Sequence, residues 1–273
     1  MKAIEIGAKK TIVFYLHGLR GHALAQKNSL EHVVKNVGVT LVSLEMPGHG
    51  EESKIHHCMV PKYYLLVNSI VAEIRNWSTD AEQVILMGYS FGGALMTLAA
   101  QTLEQDKNFA PEVAGLVGIS AAYSVSHNVP KWQLILAGLI APLSRLFYRH
   151  FPVGSRFLTI GEMNIELISP DIGVQKSIRN DPLTFKGRIP LNTSAQVYRA
   201  SLAARDAVEN LACDVLLLHS QDDAIALPPT ATWFRKKIKL RLFKNLRHNC
   251  IDGATREAVY ARRSITEFIV SKL

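Results

Sequence analysis

Short apolar runs separated by segments of helical spacing recur through most of the chain, and this alternation constrains the fold more than any other feature of the sequence. The runs are Thr11–Leu16 (TIVFYL), Val39–Leu44 (VTLVSL), Val84–Met87 (VILM), Gly115–Ile119 (GLVGI), Asp214–Leu218 (DVLLL) and Lys239–Phe243 (KLRLF). Most are rich in Val, Ile and Leu without polar alternation, the pattern of parallel strands covered on both faces. Ile4–Ile6 is read as a short edge strand. His22–Lys35, Pro61–Trp77, Phe91–Gln105 and Thr230–Lys237 have helical spacing, and Ala258, Ala261, Ile265 and Phe268 mark a core-facing stripe along Ala254–Val270. Strand and helix in alternation predict an α/β fold with a mostly parallel central sheet, right-handed crossovers and helices on both faces.

The alternation breaks once. From Tyr123 to Ala207 no buried strand is evident. This stretch holds apolar helical material between Trp132 and Phe151, several prolines and a second helical pattern at Ser194–Ala204. It reads as an insertion, so the expected organisation is a discontinuous core of residues 1–122 and 208–273 with a mainly helical cap, 123–207. A length of 273 residues fits one α/β domain carrying such an insertion.

Composition narrows the function classes. With 48% apolar and 20% charged residues the chain is an ordinary globular protein, neither disordered nor collagen-like. Lys and Arg total 31 against 23 Asp and Glu, a net charge of +8. No zinc-finger spacing or aromatic RNA-binding signature accompanies that charge, so no nucleic-acid partner is expected. The basic stretch Arg235–Arg241 is read as a solvated helix end beside an edge strand. Cys58, Cys213 and Cys250 are odd in number and lack a C-x-x-C pair, which points to a reducing compartment without a disulfide framework or a zinc site. The leading MKAIEIGAKK lacks the apolar core of a secretory signal, and the longest apolar stretch, Leu134–Leu143, falls short of a spanning helix. A cytoplasmic protein without a transmembrane segment is expected.

Chemistry enters at Gly88-Tyr89-Ser90-Phe91-Gly92, a G-x-S-x-G between the strand VILM and the helical segment FGGALMTLAAQ. A nucleophile on a sharp strand-to-helix turn needs small residues on either side, because the strand and helix backbones approach closely there. The turn exposes the Ser90 hydroxyl near the positive end of the helix. A hydroxyl also needs a base, and the base needs a carboxylate to fix its tautomer. The order serine, acid, histidine is met by His219-Ser220-Gln221-Asp222-Asp223 after DVLLL and by His248 after KLRLF. Both loops follow the C-terminal ends of strands, where open α/β sheets bind ligands. His248 is the expected base. His219, close in sequence to the acid, is assigned a structural role, and His56 and His57 are placed in an exposed loop.

These residues resemble the α/β-hydrolase family, in the branch of monoacylglycerol lipases, lysophospholipase-like proteins and S33-type serine aminopeptidases. The likeness runs through Leu16-His17-Gly18-Leu19, Pro47-Gly48-His49-Gly50, the Ser90 turn, Asn180-Asp181-Pro182-Leu183 and the acid and histidine loops. It implies that the N–H groups of Leu19 and Phe91 form an oxyanion hole and that His17 orders the first of these turns. The family's acid loop, G-x-x-D-x-x-V-P, aligns its carboxylate with Asp223. Here Ser220 replaces the glycine and Pro228 is shifted by one, which leaves Asp222 as the alternative. The loop of His49 is structural in the family.

The resemblance implies a serine hydrolase acting on a carboxylic ester with a lipid-like acyl chain, a small-molecule substrate, and no metal or organic cofactor. The cap's apolar content suits an acyl tunnel or contact with a lipid surface. A thioesterase or a carbon–carbon bond hydrolase would use the same triad, and a non-catalytic receptor on the hydrolase fold is the reading from another class.

Overall fold

The computed structural model describes residues 2–4, 10–124, 159–230 and 238–273. Its strands are β1 (Lys2–Ile4), β2 (Thr11–Leu16), β3 (Thr40–Leu44), β4 (Gln83–Tyr89), β5 (Glu112–Ile119), β6 (Thr159–Ile160), β7 (Ile189–Pro190), β8 (Asp214–Ser220) and β9 (Lys239–Phe243). The helices are α1 (Lys27–Val34), α2 (Ser53–His56), α3 (Tyr63–Trp77), α4 (Phe91–Gln105), α5 (Ile172–Asn180), α6 (Leu191–Val208) and α7 (Arg256–Val270). Seven strands form one sheet in the order β1-β3-β2-β4-β5-β8-β9, in which only β1 runs antiparallel to its neighbour. β6 and β7 pair separately as a short antiparallel ribbon.

The apolar runs explain the layering. Along β2, Ile12, Phe14 and Leu16 face one core while Val13 and Tyr15 face the other, and β4 and β8 divide in the same way. Every inner strand is thus wetted on neither side, which is why its sequence shows no polar alternation. The first core is covered by α3, α4 and α6, the second by α1 and the Ala258, Ala261, Ile265 and Phe268 stripe of α7. Thr255 caps α7 by accepting from the Ala258 N–H at 3.2 Å.

Several expected boundaries shift. The edge strand lies two residues earlier than Ile4–Ile6, and the helix expected from His22 begins at Lys27. Residues 22–26 form turns instead, because the chain there folds over the sheet edge: the Ala23 N–H donates to Glu45 and the Gln26 side chain turns in to Tyr15. The Trp132–Phe151 material and residues 231–237, with Arg235–Lys237, lie outside the described residues. Among the described residues no helix is long and apolar enough to cross a membrane. We propose that residues 123–207 form the inserted cap, anchored by α6, whose buried Ala200 and Ala204 join the core cluster of α3 and α4.

Ile265 is fully buried whereas Val259 on the same helix is 49% exposed. Ile265→Ala is expected to lower the unfolding free energy by about 2–4 kcal/mol, and Val259→Ala to change it by less than about 0.5 kcal/mol. Denaturant titration of the two variants checks both.

Candidate active site

Because the sheet is parallel, the loops after β2, β3, β4, β8 and β9 all emerge at one edge. The central one is the turn from β4 into α4. Ser90 occupies it with φ 53° and ψ −120°, a conformation that non-glycine residues rarely adopt and that costs on the order of 1–3 kcal/mol. Neighbouring backbone holds it there. The Ser90 N–H donates to the Ile119 carbonyl at 2.9 Å, and the Ser90 carbonyl accepts from Gly93 and Ala122, each at 3.0 Å. A Cβ on Gly88 would lie 2.5 Å from the Gly92 carbonyl oxygen, and one on Gly92 would lie 2.3 Å from that of His17. The spacing G-x-S-x-G is therefore a requirement of backbone approach.

Ser90 Oγ lies 2.8 Å from His248 Nε2, and His248 Nδ1 lies 2.8 Å from Asp223 Oδ2. With Nδ1–H donating to the carboxylate, Nε2 is left to accept from the serine hydroxyl. The structure thus brings the three expected residues together. Asp223 is buried, and its other oxygen accepts from the Ile225 and Ala226 N–H groups at 2.8 and 3.0 Å. Burial alone would raise its pKa; the charge of His248 and hydrogen bonds from His219 and His248 outweigh it and hold the carboxyl well below the usual range. Asp222, the alternative, points away on the exposed side of the loop and accepts from the Asn245 N–H. His219 keeps the structural role expected of it, but as a direct partner of the acid. Its Nε2 lies 3.0 Å from Asp223 Oδ2 and 2.8 Å from the Ala226 carbonyl, since the tight turn after β8 folds the acid back onto it. It buttresses the acid and does not reach Ser90.

The turn after β2 packs directly against this site. Leu19 and Phe91 line the same cavity as Ser90 and His248, and neither N–H has an acceptor among the described residues. His17 Nδ1 lies 2.8 Å from the Gly18 carbonyl, and Nε2 lies 2.7 Å from Glu45 Oε1 and 3.1 Å from the Met46 nitrogen. This is the ordering role expected of His17. His49, expected to be structural, is buried behind it with ring centroids 5.4 Å apart. His56 ends α2 on the surface, and His57 stacks near Phe185.

Comparison with known proteins agrees with this geometry. The family model described as serine aminopeptidase, S33, matches residues 7–252. The chain belongs to that family. It is accordingly a serine hydrolase built on the α/β-hydrolase fold. No curated protein matches the chain in sequence. Among solved structures, a monoacylglycerol lipase from Paleococcus ferrophilus is 22% identical, with a TM-score of 0.77 and all of both chains covered. A soluble variant of monoglyceride lipase from Saccharomyces cerevisiae is 15% identical with a TM-score of 0.75, covering 96% of this chain and 88% of that one. A thermostable carboxyl esterase from Bacillus coagulans is 14% identical with a TM-score of 0.70, covering 98% and 90%. At these identities the likeness is one of fold.

For a hydrolase of this family the ties between cap and core matter, and sequence reasoning missed most of them. His22 Nε2 lies 2.6 Å from Asp181 Oδ2, and Asp181 also accepts from the Leu183 N–H at 2.9 Å and the Thr184 hydroxyl at 2.7 Å. The Asn180–Leu183 motif is thus an aspartate turn pinned to the core. The His248 N–H and Asn249 N–H donate to the Leu167 and Ile168 carbonyls at 3.4 and 2.7 Å. Leu167 and Ile168 then turn their side chains into a cavity of about 350 Å³ whose lining, with Met163, Ile178 and Ile189, is mostly apolar.

His49 is a strongly perturbed histidine beside the site. Burial, with His17 beside it, pushes it down from 6.5 to about 3, and its Nε2 has no partner among the described residues. It is neutral in the folded protein, so between pH 6.5 and 3 the unfolded chain binds the extra proton and stability falls as pH drops through that window. Replacing His49 with Gln is expected to flatten the decline by up to about 1.4 kcal/mol per pH unit, measured from about pH 6.5 to 4.5, before unfolded-state carboxylates titrate. Unfolding titrations at several pH values test this; an unchanged slope contradicts it. Gly92→Ala is expected to abolish labelling of Ser90 by a fluorophosphonate, because the added methyl displaces the turn from the His17 carbonyl.

Proposed function

We propose that the protein hydrolyses a carboxylic ester with a lipid-like acyl chain, with Ser90 as nucleophile, His248 as general base and acid, Asp223 as its orienting carboxylate, and the Leu19 and Phe91 N–H groups as oxyanion donors. The observation that carries this reading is the unbroken chain from Ser90 Oγ through His248 to Asp223, opening into a mostly apolar cavity. The family's serine hydrolases and the lipase and esterase names of its structural neighbours support it.

His248 takes the Ser90 proton as Oγ attacks the ester carbonyl, and the resulting oxyanion is met by the two N–H groups, a contact worth about 3 kcal/mol per donor. Collapse of the tetrahedral intermediate breaks the bond to the alcohol, which leaves with the proton held by His248. Water, deprotonated by the same imidazole, then attacks the acyl-enzyme and releases the acid and Ser90. Asp223 stabilises the imidazolium formed in both halves. Its low pKa keeps it ionised throughout, so the acid limb of the activity profile is set elsewhere.

Ser90→Ala is expected to reduce hydrolysis of p-nitrophenyl esters by about 10⁴-fold or more, and Asp223→Asn by about 10⁴-fold, with Asp222→Asn close to wild type. A series of acyl lengths, run beside Ser90→Ala, tests the substrate class. An optimum at medium or long chains is the expected result; full activity in Ser90→Ala, or no ester turnover by the wild type, rejects the reading. Turnover of thioesters alone moves the chemistry to that class.

A further inference from the structure

Three basic side chains cluster around the turn after β2, and two of them face a carboxylate. His17 faces Glu45 at 2.7 Å, and His22 faces Asp181 at 2.6 Å. Arg20, between them, has none. It is 9% exposed, yet among the described residues its guanidinium hydrogen-bonds only to carbonyls: Nη2–H donates to Gly161 at 2.7 Å and Nη1–H to Gly187. No ion pair to a carboxylate is formed among the described residues. Residues 125–158 and 231–237 contain no Asp or Glu at all, so they supply none either. Glu5 is the remaining acid outside the described residues, and the preceding Ile4 pairs with Leu41 at the start of β3, the end of the sheet away from this turn.

A buried cation without a counter-ion is costly, and folded proteins ordinarily pair or solvate such groups. Its backbone is costly as well. Arg20 has φ 73°, in the left-handed region where glycine or asparagine is the ordinary choice. Two unfavourable features at one residue, directly after Leu19 and on the wall of the same cavity as Ser90 and His248, mark it as retained for something the apo fold does not supply. Two of its five N–H donors are spent on the cap carbonyls, and the rest of the planar fork, which has no acceptor among the described residues, has the geometry to meet a flat or tetrahedral anion. The other charges on the cavity wall do not compete for it. Asp252 is engaged by Ser29 and Asn249 and lies beside Arg262, and Glu162 is exposed on the cap segment.

We infer that Arg20 recognises an anionic group of the substrate, a carboxylate or a phosphate, so that the preferred ester is an amphiphile with an apolar acyl portion and one negative charge close to the scissile bond. The inference rests on the ester hydrolysis proposed above and adds a specificity-determining residue to it. Cap carbonyls hold the guanidinium in place beforehand, so the incoming anion orders little.

The test uses matched ester pairs of equal length: p-nitrophenyl hexanoate against the p-nitrophenyl half-ester of adipic acid, which places the charge on the acyl side, and hexanoylglycerol against its glycerol phosphate counterpart, which places it on the alcohol side. Wild type is expected to show at least a tenfold higher kcat/KM for the charged member of one pair, and the pair that responds identifies which side carries the anion. Arg20→Met is expected to bring that ratio near one. An Arg20→Met loss that is equal for charged and neutral esters assigns Arg20 to cap attachment alone and overturns the inference. Inorganic phosphate and adipate provide a readout free of turnover: each is expected to raise the Tm of the Ser90→Ala protein and to compete with the neutral ester in wild type. Absence of both ester preference and anion binding in wild type overturns the inference even where Arg20→Met does not fold, and Arg20→Lys, which keeps the charge but not the fork, is expected to retain part of the preference. Absence of all ester turnover instead rejects the hydrolysis reading, with anion binding to Ser90→Ala still deciding the role of Arg20.

Discussion

The geometry of the site depends on how closely α4 can approach the strand that precedes it. Ser90 stands clear of the sheet only because its backbone takes a left-handed turn, and that turn closes only where Gly88 and Gly92 leave no Cβ between the strand, the helix and the His17 carbonyl. The strain is held locally by the bonds with Ile119, Gly93 and Ala122, and globally by burial of β4 on both faces and of α4 in the first core. Because the contact at Gly92 is with the loop after β2, the same approach sets the distance between the Ser90 hydroxyl and the Leu19 turn. The candidate nucleophile and the candidate oxyanion donor are fixed by one packing constraint.

Electrostatics around that turn follow a consistent plan. Asp223 is deeply buried but accepts from two imidazoles and two backbone N–H groups, so its charge is compensated where it stands. Asp252 follows the other course. Burial raises its pKa in spite of Ser29, Asn249 and Gln26, and it ties the His248 loop to α1. Glu45 and Asp181 each sit against a histidine of the β2 turn. Against these compensated charges Arg20, with no carboxylate partner among the described residues, stands out by contrast. The net charge of +8 carries no such meaning by itself, since most of the described Lys and Arg residues are exposed.

What could be read from the sequence was whatever rests on local pattern or chain order. Uninterrupted apolar runs identified strands wetted on neither face, and the two-residue spacing of glycines around Ser90 identified the turn. The acid loop and His248 follow from their place after the last two parallel strands, since chain order in a parallel sheet is also position along one edge, whereas the choice of Asp223 over Asp222 comes from the family resemblance. Non-local pairings left no such trace. Nothing in the helix-like spacing of His22–Lys35 reveals that Gln26 turns inward to Tyr15 and unwinds the first turn. The His219 contact was hidden for the opposite reason: four residues looked too close for a partnership, but the turn after β8 folds the acid back over that short span. Arg20 looked like an ordinary loop residue, because neither burial nor the sign of φ is encoded by a single letter.

The cap and the active site share parts, and this bears on how the molecule presents its site. The carbonyls of Leu167 and Ile168 accept the N–H groups of His248 and Asn249, while their side chains form cavity wall. The Gly161 and Gly187 carbonyls, on the same stretch of chain, hold Arg20, and Phe185 donates back to the Arg20 carbonyl at 2.9 Å. The histidine loop and the Leu19 turn, on opposite sides of Ser90, are therefore both seated on one segment, residues 161–187. Displacing that segment would loosen the His248 loop and the Leu19 turn together, whereas its seating on the core through His22–Asp181 sets both at once. Substrate enclosure and the geometry around Ser90 are two consequences of the same set of main-chain bonds.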